Sequence, residues 1–324
     1  GDIYTVKEGQ KPSKIEIFST AEIRKNELRT MLSKVSEIAL SPDGTETAMI
    51  LRGEIYAVNH ETGTTKRITH TSNEERWVSF HPEGRKLLYS SFRNGSWNVY
   101  ESILENDDEL YFFASTKITE KPLIANEYNT FQASYSPDGK KIAYLKERTE
   151  LVVYDIDKNV HTTVLPKEKN VSYIDGDQEF VWSPDSSRIA VLFLDRDRWS
   201  GEIGIVDAAG RENVINITNS GTDDSGPVWN SSGDTLSWKN RGDILGFSLN
   251  KAAYDLMLLS KEENDLRKKL EEKNEAKKQK KTGIVKNETD KTKEAGKKDK
   301  KIEPVKFEKD DIDGRIRKLS LNPA

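Results

Sequence analysis

The sequence contains no cysteine, so disulfides and cysteine-based metal sites are excluded. That absence suits cytosolic proteins and many exported bacterial proteins alike, and a soluble protein of the cytoplasm or the periplasm is expected. There is no run approaching the ~20 apolar residues of a membrane span. No secretory leader opens the chain. It begins Gly1-Asp2-Ile3-Tyr4, strand-like and without Met, and so reads as a segment of a longer protein. Histidine is scarce: His60, His70, His81 and His161 sit near turns or loops, with no metal-ligand spacing between them. There is no Gly-x-Ser-x-Gly nucleophile elbow and no Gly-x-x-x-x-Gly-Lys phosphate loop. No catalytic residue is assigned, and neither a metal nor a cofactor is expected.

A strong excess of one charge is also missing, since 51 basic residues face 55 acidic ones for a net charge of −4. The balance is uneven along the chain. Lys261–Glu303 holds 16 Lys and Arg against 11 acids, a net of +5, which leaves the remainder at −9.

What the sequence does contain is a repeat. Leu40-Ser41-Pro42-Asp43-Gly44, Phe80-His81-Pro82-Glu83-Gly84, Tyr135-Ser136-Pro137-Asp138-Gly139, Trp182-Ser183-Pro184-Asp185-Ser186 and Trp229-Asn230-Ser231-Ser232-Gly233 align at spacings of 40, 55, 47 and 47 residues. Pro presets φ in such a turn, Asp bonds back to the local backbone, and Gly supplies positive φ. A strand follows each turn: Thr47–Leu51, Lys86–Ser90, Lys141–Leu145, Arg188–Phe193 and Thr235–Trp238. A third strand comes next (Glu54–Val58, Trp97–Ser102, Leu151–Tyr154, Glu202–Val206, Asp243–Ser248), and the last strand is expected to end in Ile-Thr at Ile68-Thr69, Ile118-Thr119 and Ile217-Thr218. Four antiparallel strands every 40–55 residues make one propeller blade. The fold class is therefore an all-β propeller of about five four-stranded blades. Gly1–Val6 and Lys14–Phe18 read as a further half blade. A closed ring usually needs more, so blades are expected beyond one or both ends.

The expected organisation is residues 1–34 as the end of a preceding blade plus linker, 35–260 as blades, 261–304 as a charged insertion, and 305–324 as a returning outer strand and the start of a next blade. Within the insertion, Glu263/Arg267, Asp265/Lys269 and Lys268/Glu272 form i,i+4 pairs that predict a helix over Lys261–Lys281. Thr282–Lys301 has almost nothing to bury and reads as disordered, so that trimming it is expected to leave thermal stability nearly unchanged. A docking arm for an acidic partner or nucleic acid is the alternative to a solvated loop, and the absence of aromatics among the lysines favours the loop. Val305–Phe307 and Ile312–Leu319 read as a return to strand.

Asp155-Ile156-Asp157-Lys158-Asn159 imitates the start of a calcium loop but lacks its Gly and terminal acid, and reads as a turn. Asp195–Gly201 is a longer loop that is either self-paired or a ligand contact. Antiparallel order places blade-to-blade links and second-to-third-strand loops at one end of each blade. That end gathers Glu75, Arg76, Trp77, Arg93, Asn94, Arg196, Arg198, Trp199, Asp223 and Asp224, the candidate peptide-contact residues. The inner-strand starts near Trp77, Phe131 and Val228 are expected to approach the axial channel.

Several segments resemble the second propeller of tricorn-type serine peptidases. These are Arg52-Gly53-Glu54-Ile55-Tyr56-Ala57-Val58 with Gly63 and Arg67-Ile68-Thr69-His70-Thr71, Trp182–Ala190, Asp224-Ser225-Gly226-Pro227-Val228-Trp229, and Asp311-Ile312-Asp313-Gly314-Arg315-Ile316. TolB-type and prolyl-oligopeptidase-type propellers share the Ser-Pro-Asp-Gly repeat, whereas the Arg-Gly-Glu-Ile strand is more specific. The resemblance implies a parent with two propellers, a PDZ-like domain and a separate catalytic region, and a segment that binds or gates peptides. It implies as partners unfolded polypeptide, those other domains and further copies of the chain, with neither nucleic acid nor a membrane span. The family's catalytic residues match nothing here. A TolB-like interaction scaffold is the second reading. A propeller that is itself a lyase or phytase is disfavoured, because no acidic metal cluster stands at the channel.

Overall fold

The computed structural model describes residues 3–7, 9–15, 34–174, 177–194, 199–281 and 304–320. The chain divides into two compact units, Gly1–Glu127 and Tyr128–Ala324. Both are built from antiparallel sheets whose strands follow one another in chain order, which is the pattern of a β-propeller.

The first unit opens with a two-stranded hairpin, β1 (Tyr4–Thr5) and β2 (Ser13–Lys14). Blade 1 is β3 (Glu37–Leu40), β4 (Glu46–Leu51), β5 (Glu54–Asn59) and β6 (Thr65–Arg67). Blade 2 is β7 (Glu75–Phe80), β8 (Lys86–Arg93), β9 (Ser96–Leu104) and β10 (Ile118–Ile124). In β4 and β5 buried and half-buried residues alternate, the period of a pleated strand with one face in the core. Ile50, Ile55, Leu87, Tyr89 and Phe112 form that core.

The second unit holds three blades. Blade 3 is β11 (Thr130–Tyr135), β12 (Lys141–Lys146), β13 (Glu150–Asp155) and β14 (Val160–Leu165). Blade 4 is β15 (Phe180–Trp182), β16 (Arg188–Leu194), β17 (Gly201–Asp207) and β18 (Ile215–Asn216). Blade 5 is β19 (Asp224–Trp229), β20 (Thr235–Asn240), β21 (Asp243–Ser248) and, after an excursion, β22 (Ile316–Lys318). Strands β16 and β17 carry near-continuous buried runs, as strands covered on both faces do. Ile203, Ile205, Leu236, Trp238 and Phe247 join blades 4 and 5 in one core.

The repeat turns work as their residues dictate. Ser41 Oγ donates to Asp43 Oδ1 at 2.8 Å and accepts from Glu46 N at 3.0 Å, while Asp43 Oδ1 accepts from Thr45 N at 3.1 Å. The same Ser-to-Asp bond recurs at Ser136–Asp138 (2.6 Å) and Ser183–Asp185 (2.5 Å). Gly44 takes φ +76°, and Ser186 occupies the equivalent left-handed position at +60°. There its hydroxyl accepts from Asp138 N of blade 3 at 3.1 Å.

Asp43 and Glu46, three residues apart, titrate in opposite senses. Burial opposes ionisation of Asp43, but bonds from Thr45, Ser41 and Tyr111 outweigh it and hold the carboxyl at about 2. Burial raises Glu46 above its ordinary value, and the Phe112 and Phe113 N–H groups only partly offset it. A carboxyl depressed on folding stabilises above its unfolded value of about 3.9 and loses that contribution as pH falls toward 2, whereas a raised one loses its contribution as pH rises. The melting-temperature difference between the chain and Asp43→Asn is therefore expected to be largest above about pH 4 and to shrink toward about pH 2. A difference independent of pH across that window would contradict the assignment.

The Ile-Thr signature has two meanings. In blades 1 and 4 the Thr follows the outer strand and closes it: Thr69 Oγ1 accepts from Ile55 N and donates to Glu54, and Thr218 Oγ1 accepts from Ile203 N and donates to Glu202. In blade 2, contrary to expectation, Ile118-Thr119 opens β10 instead of ending it, pairing with Leu104 and Ile103 at the last residues of β9, and Thr119 Oγ1 donates to Glu105 there.

The excursion in blade 5 begins with α1 (Lys251–Met257), capped by Asn250, and continues into α2 (Lys261–Lys281). Ser260 and Glu263 cap α2 reciprocally: Glu263 Oε2 accepts from Ser260 N and Ser260 Oγ from Glu263 N. Thr282–Lys301 lies outside the described residues. Val305–Phe307, expected as strand, joins no sheet; Val305 is instead held by Asp185 and Arg188. Ile312 is helical and Asp313–Arg315 is a 3-10 turn, so Ile316–Lys318 alone completes the blade. Gly246 permits this approach, since a Cβ there would lie 2.6 Å from Leu319.

Candidate peptide-contact site

Each blade brings the start of its inner strand beside the hairpin joining its second and third strands. In blade 2, Glu75 and Arg76 oppose Ser91 and Ser90, and the register then slips before Ser79 meets Leu88. The slip is a β-bulge that turns Trp77 to φ +56°. Bulges recur at the same place in β11, with Gln132 at +53°, and in β19, with Gly226 at +64°. A bulge re-aims one side chain. For a bulky residue the left-handed region costs about 1–3 kcal/mol and persists only where the surroundings enforce it. Glu37 of blade 1 does so by accepting from the Trp77 N–H. Glu179 of blade 4 serves Gly226 N likewise at 2.7 Å. Burial raises the Glu37 carboxyl, partly offset by the Trp77 N–H and the Arg76 charge.

The bulge assembles an aromatic cluster at this end of blade 2. Trp77 and Trp97 meet edge-on at 5.4 Å, Phe92 lies 5.6 Å from Trp97, and the Arg76 guanidinium sits 4.5 Å over the Trp77 ring. Arg76 is steadied by Glu37 at 3.7 Å. Phe92 is 43% exposed, a large aromatic left at the surface. A recess of about 480 Å³ opens at the same hairpin, with Asn94, Asn98 and Asn126 in its lining. Asn94 is exposed at the hairpin tip with φ +56°.

Two of the expected contact residues, Glu75 and Asp224, face inward instead, and half-buried Arg93 is taken up by neighbouring side chains. Glu75 is fully buried and accepts from Thr71 Oγ1 and Ser91 Oγ; burial raises its carboxyl despite those bonds. Arg93 lies over the Tyr100 ring at 3.9 Å and forks onto Glu120 at 2.5 and 2.9 Å. Asp224 is 2% exposed and accepts from Trp238 Nε1, Asn240 Nδ2 and Ser220 Oγ. A carboxylate opening an inner strand here collects hydroxyl and amide donors from neighbouring strands, so it braces the site. Trp199 is 61% exposed at φ +58°. Asp223 is exposed, and its Oδ1 accepts from Gly201 N. Arg196 and Arg198 lie outside the described residues. Phe131 is buried, whereas Val228 is 60% exposed. The sequence reading missed Phe92, Trp97 and Glu37; Trp97 follows the Asn94-Gly95 turn, and that adjacency is the signal that would have found it.

No grouping of three metal-ligating side chains occurs among the described residues. His161 stacks on Tyr154 at 4.4 Å, and burial lowers its pKa, which keeps it neutral.

The family described as dipeptidyl peptidase IV (DPP IV) N-terminal region matches residues 10–278. The chain belongs to this family. Its members are propeller regions of peptidases, in keeping with the blades described above. No curated protein matches the sequence. Among solved structures, the tricorn protease aligns over 100% of this chain and 28% of its own, at 13% identity and TM-score 0.57. This likeness shows the propeller fold. TolB from Acinetobacter baumannii is 19% identical over 67% of this DPP IV-type chain and 52% of its own, with TM-score 0.46. A protein assigned as TolB from Agrobacterium tumefaciens is 17% identical over 67% and 78%, with TM-score 0.48. The chain thus spans about half of the Acinetobacter protein and less than a third of the tricorn protease. No helix among the described residues is long and apolar enough to cross a membrane.

Proposed function

We propose that this propeller is a non-catalytic region of a peptidase-type protein, one that binds extended polypeptide and gates its passage to or from a catalytic region elsewhere in the parent chain. The observation that carries the reading is the Trp77–Trp97–Phe92 cluster with Arg76 above it, held in place by a strained bulge. Aromatic and arginine side chains clustered at a surface are the usual anchors of protein recognition. Asn94 and Asn126, in the recess at the same hairpin, carry amide groups of the kind a peptide backbone needs. Arg76, Trp77, Asn94, Trp199 and Asp223 remain the proposed contact residues.

The test is binding of fluorescein-labelled, urea-denatured casein by fluorescence anisotropy. Saturable binding is expected, weakened about tenfold in Trp77→Gly. Glycine adopts φ +56° without strain, so the variant is expected to fold. Equal binding by both proteins with unchanged melting temperatures would remove the basis of the proposal. The chain alone is also expected not to cleave casein; hydrolysis abolished by a serine-reactive inhibitor would show a catalytic centre within it.

A further inference from the structure

A second aromatic site lies in the other unit, where the link from blade 3 to blade 4 passes the β16–β17 hairpin. Tyr173 is 62% exposed, Ile174 66% and Trp199 61%, and the Tyr173 and Trp199 rings face each other 6.1 Å apart at 31°. Contiguous exposure of this kind marks an interaction site more often than chance does. Between the link and the hairpin is a recess of about 110 Å³, with Val171, Leu192, Phe193 and Leu194 in its lining.

Three features define what the recess can hold. Small-molecule sites usually measure ~300–1,000 Å³, so this one has room for a single side chain and not for a cofactor. Its polar groups are already committed. Asp177 accepts from Ser172 Oγ and from the Tyr173 and Ile174 N–H groups, and Gln178 is bonded to Asn170 and Val171. What they leave for a ligand is apolar surface. Finally, Gly201 on the lining abuts Asp223, and a Cβ there would lie 3.9 Å from Asp223 Oδ1. Asp223 is exposed, and its Oδ1 accepts from the N–H of Gly201 at 3.0 Å, which sets its carboxylate beside that lining residue with Oδ2 left for a cation. Trp199 is itself held at φ +58°, a conformation that costs a bulky residue energy and is retained where a function needs it.

We infer that this recess is a side-chain pocket for an extended polypeptide, taking one aliphatic residue against the Tyr173 ring, which Trp199 braces from its other side, with a neighbouring basic residue on Asp223. The inference rests on the polypeptide-binding reading above and gives that reading a sequence preference.

The test uses the 324-residue chain and two fluorescein-labelled peptides, Gly-Ser-Gly-Lys-Leu-Gly-Ser-Gly and the same peptide with Ser in place of Leu, beside denatured casein. The Leu peptide is expected to bind about tenfold more tightly, as burial of one aliphatic side chain allows. Trp199→Gly is expected to erase that difference without lowering the melting temperature, since glycine relaxes the left-handed backbone. Asp223→Asn is expected to weaken the Lys-Leu peptide but not one with Gln for Lys. Casein binding with no Leu preference would overturn the pocket and leave the general reading intact. Failure of casein and both peptides to bind would overturn both. A change of oligomeric state on Trp199→Gly, read by sedimentation, would show that another copy of the chain fills the recess, and would overturn the inference.

Discussion

Arg315→Ala is expected to lower the stability of the second unit by about 3 kcal/mol, a drop of roughly 6–12 °C in its melting transition. Arg315 is 5% exposed. Its guanidinium donates to the carbonyls of Ser248 (2.7 Å), Glu308 (2.5 Å), Asp310 (2.8 Å) and Asp311 (3.3 Å), and it lies 5.0 Å over the Phe247 ring. One side chain thereby ties the returning segment to β21 after the charged excursion and sets β22 in register. Alanine would leave these carbonyls without their donor in a buried place, which costs more than the bonds themselves contribute. Arg315→Lys is expected to fall between the two, because one ammonium cannot span a planar fork of acceptors. A loss below about 0.5 kcal/mol, the range of ordinary surface substitutions, would show that the segment is held by its apolar contacts alone.

Asp224→Ala is expected to cost about 2–4 kcal/mol by the same reasoning. The carboxylate accepts from the indole N–H of Trp238 at 2.9 Å and from Asn240 at 2.7 Å, and Trp238 is 2% exposed in the core of blades 4 and 5. Asp224→Asn keeps one acceptor oxygen and is expected to lose less. Urea titration followed by tryptophan fluorescence measures both. An Asp224→Ala variant as stable as the parent chain would mean that water enters to satisfy Trp238.

The blades were legible in the sequence because each turn is local chemistry. Ser, Pro, Asp and Gly within five residues determine their own hydrogen bonds and φ values, and the strands between them alternate. The Lys261–Lys281 helix was legible for the same reason, through its i,i+4 pairs. The contact site was less so. Glu75, Arg93 and Asp224 look like free surface charges when read one by one; that they are engaged by Thr71, Ser91, Glu120 and Trp238 depends on partners up to 27 residues away. The bulge at Trp77 is invisible in the sequence, because its stabilising partner, Glu37, lies 40 residues earlier. Arg315 sits in the Asp-Gly-Arg-Ile motif, but only its carbonyl partners across the excursion reveal its role as an anchor.

Polypeptide bound as proposed engages the hairpin ends of blades 2 and 4 and leaves the opposite ends, with their repeat turns, free. Hydrogen exchange on the chain, with and without saturating denatured casein, tests it most directly. Slowed exchange is predicted at 75–78 and 92–98 in blade 2 and at 171–174 and 199–202 in blade 4, with the turns at His81–Arg85 and Ser183–Ser187 unchanged. Protection confined to those turns, or none at all under saturating conditions, would show that polypeptide does not bind at the hairpin ends.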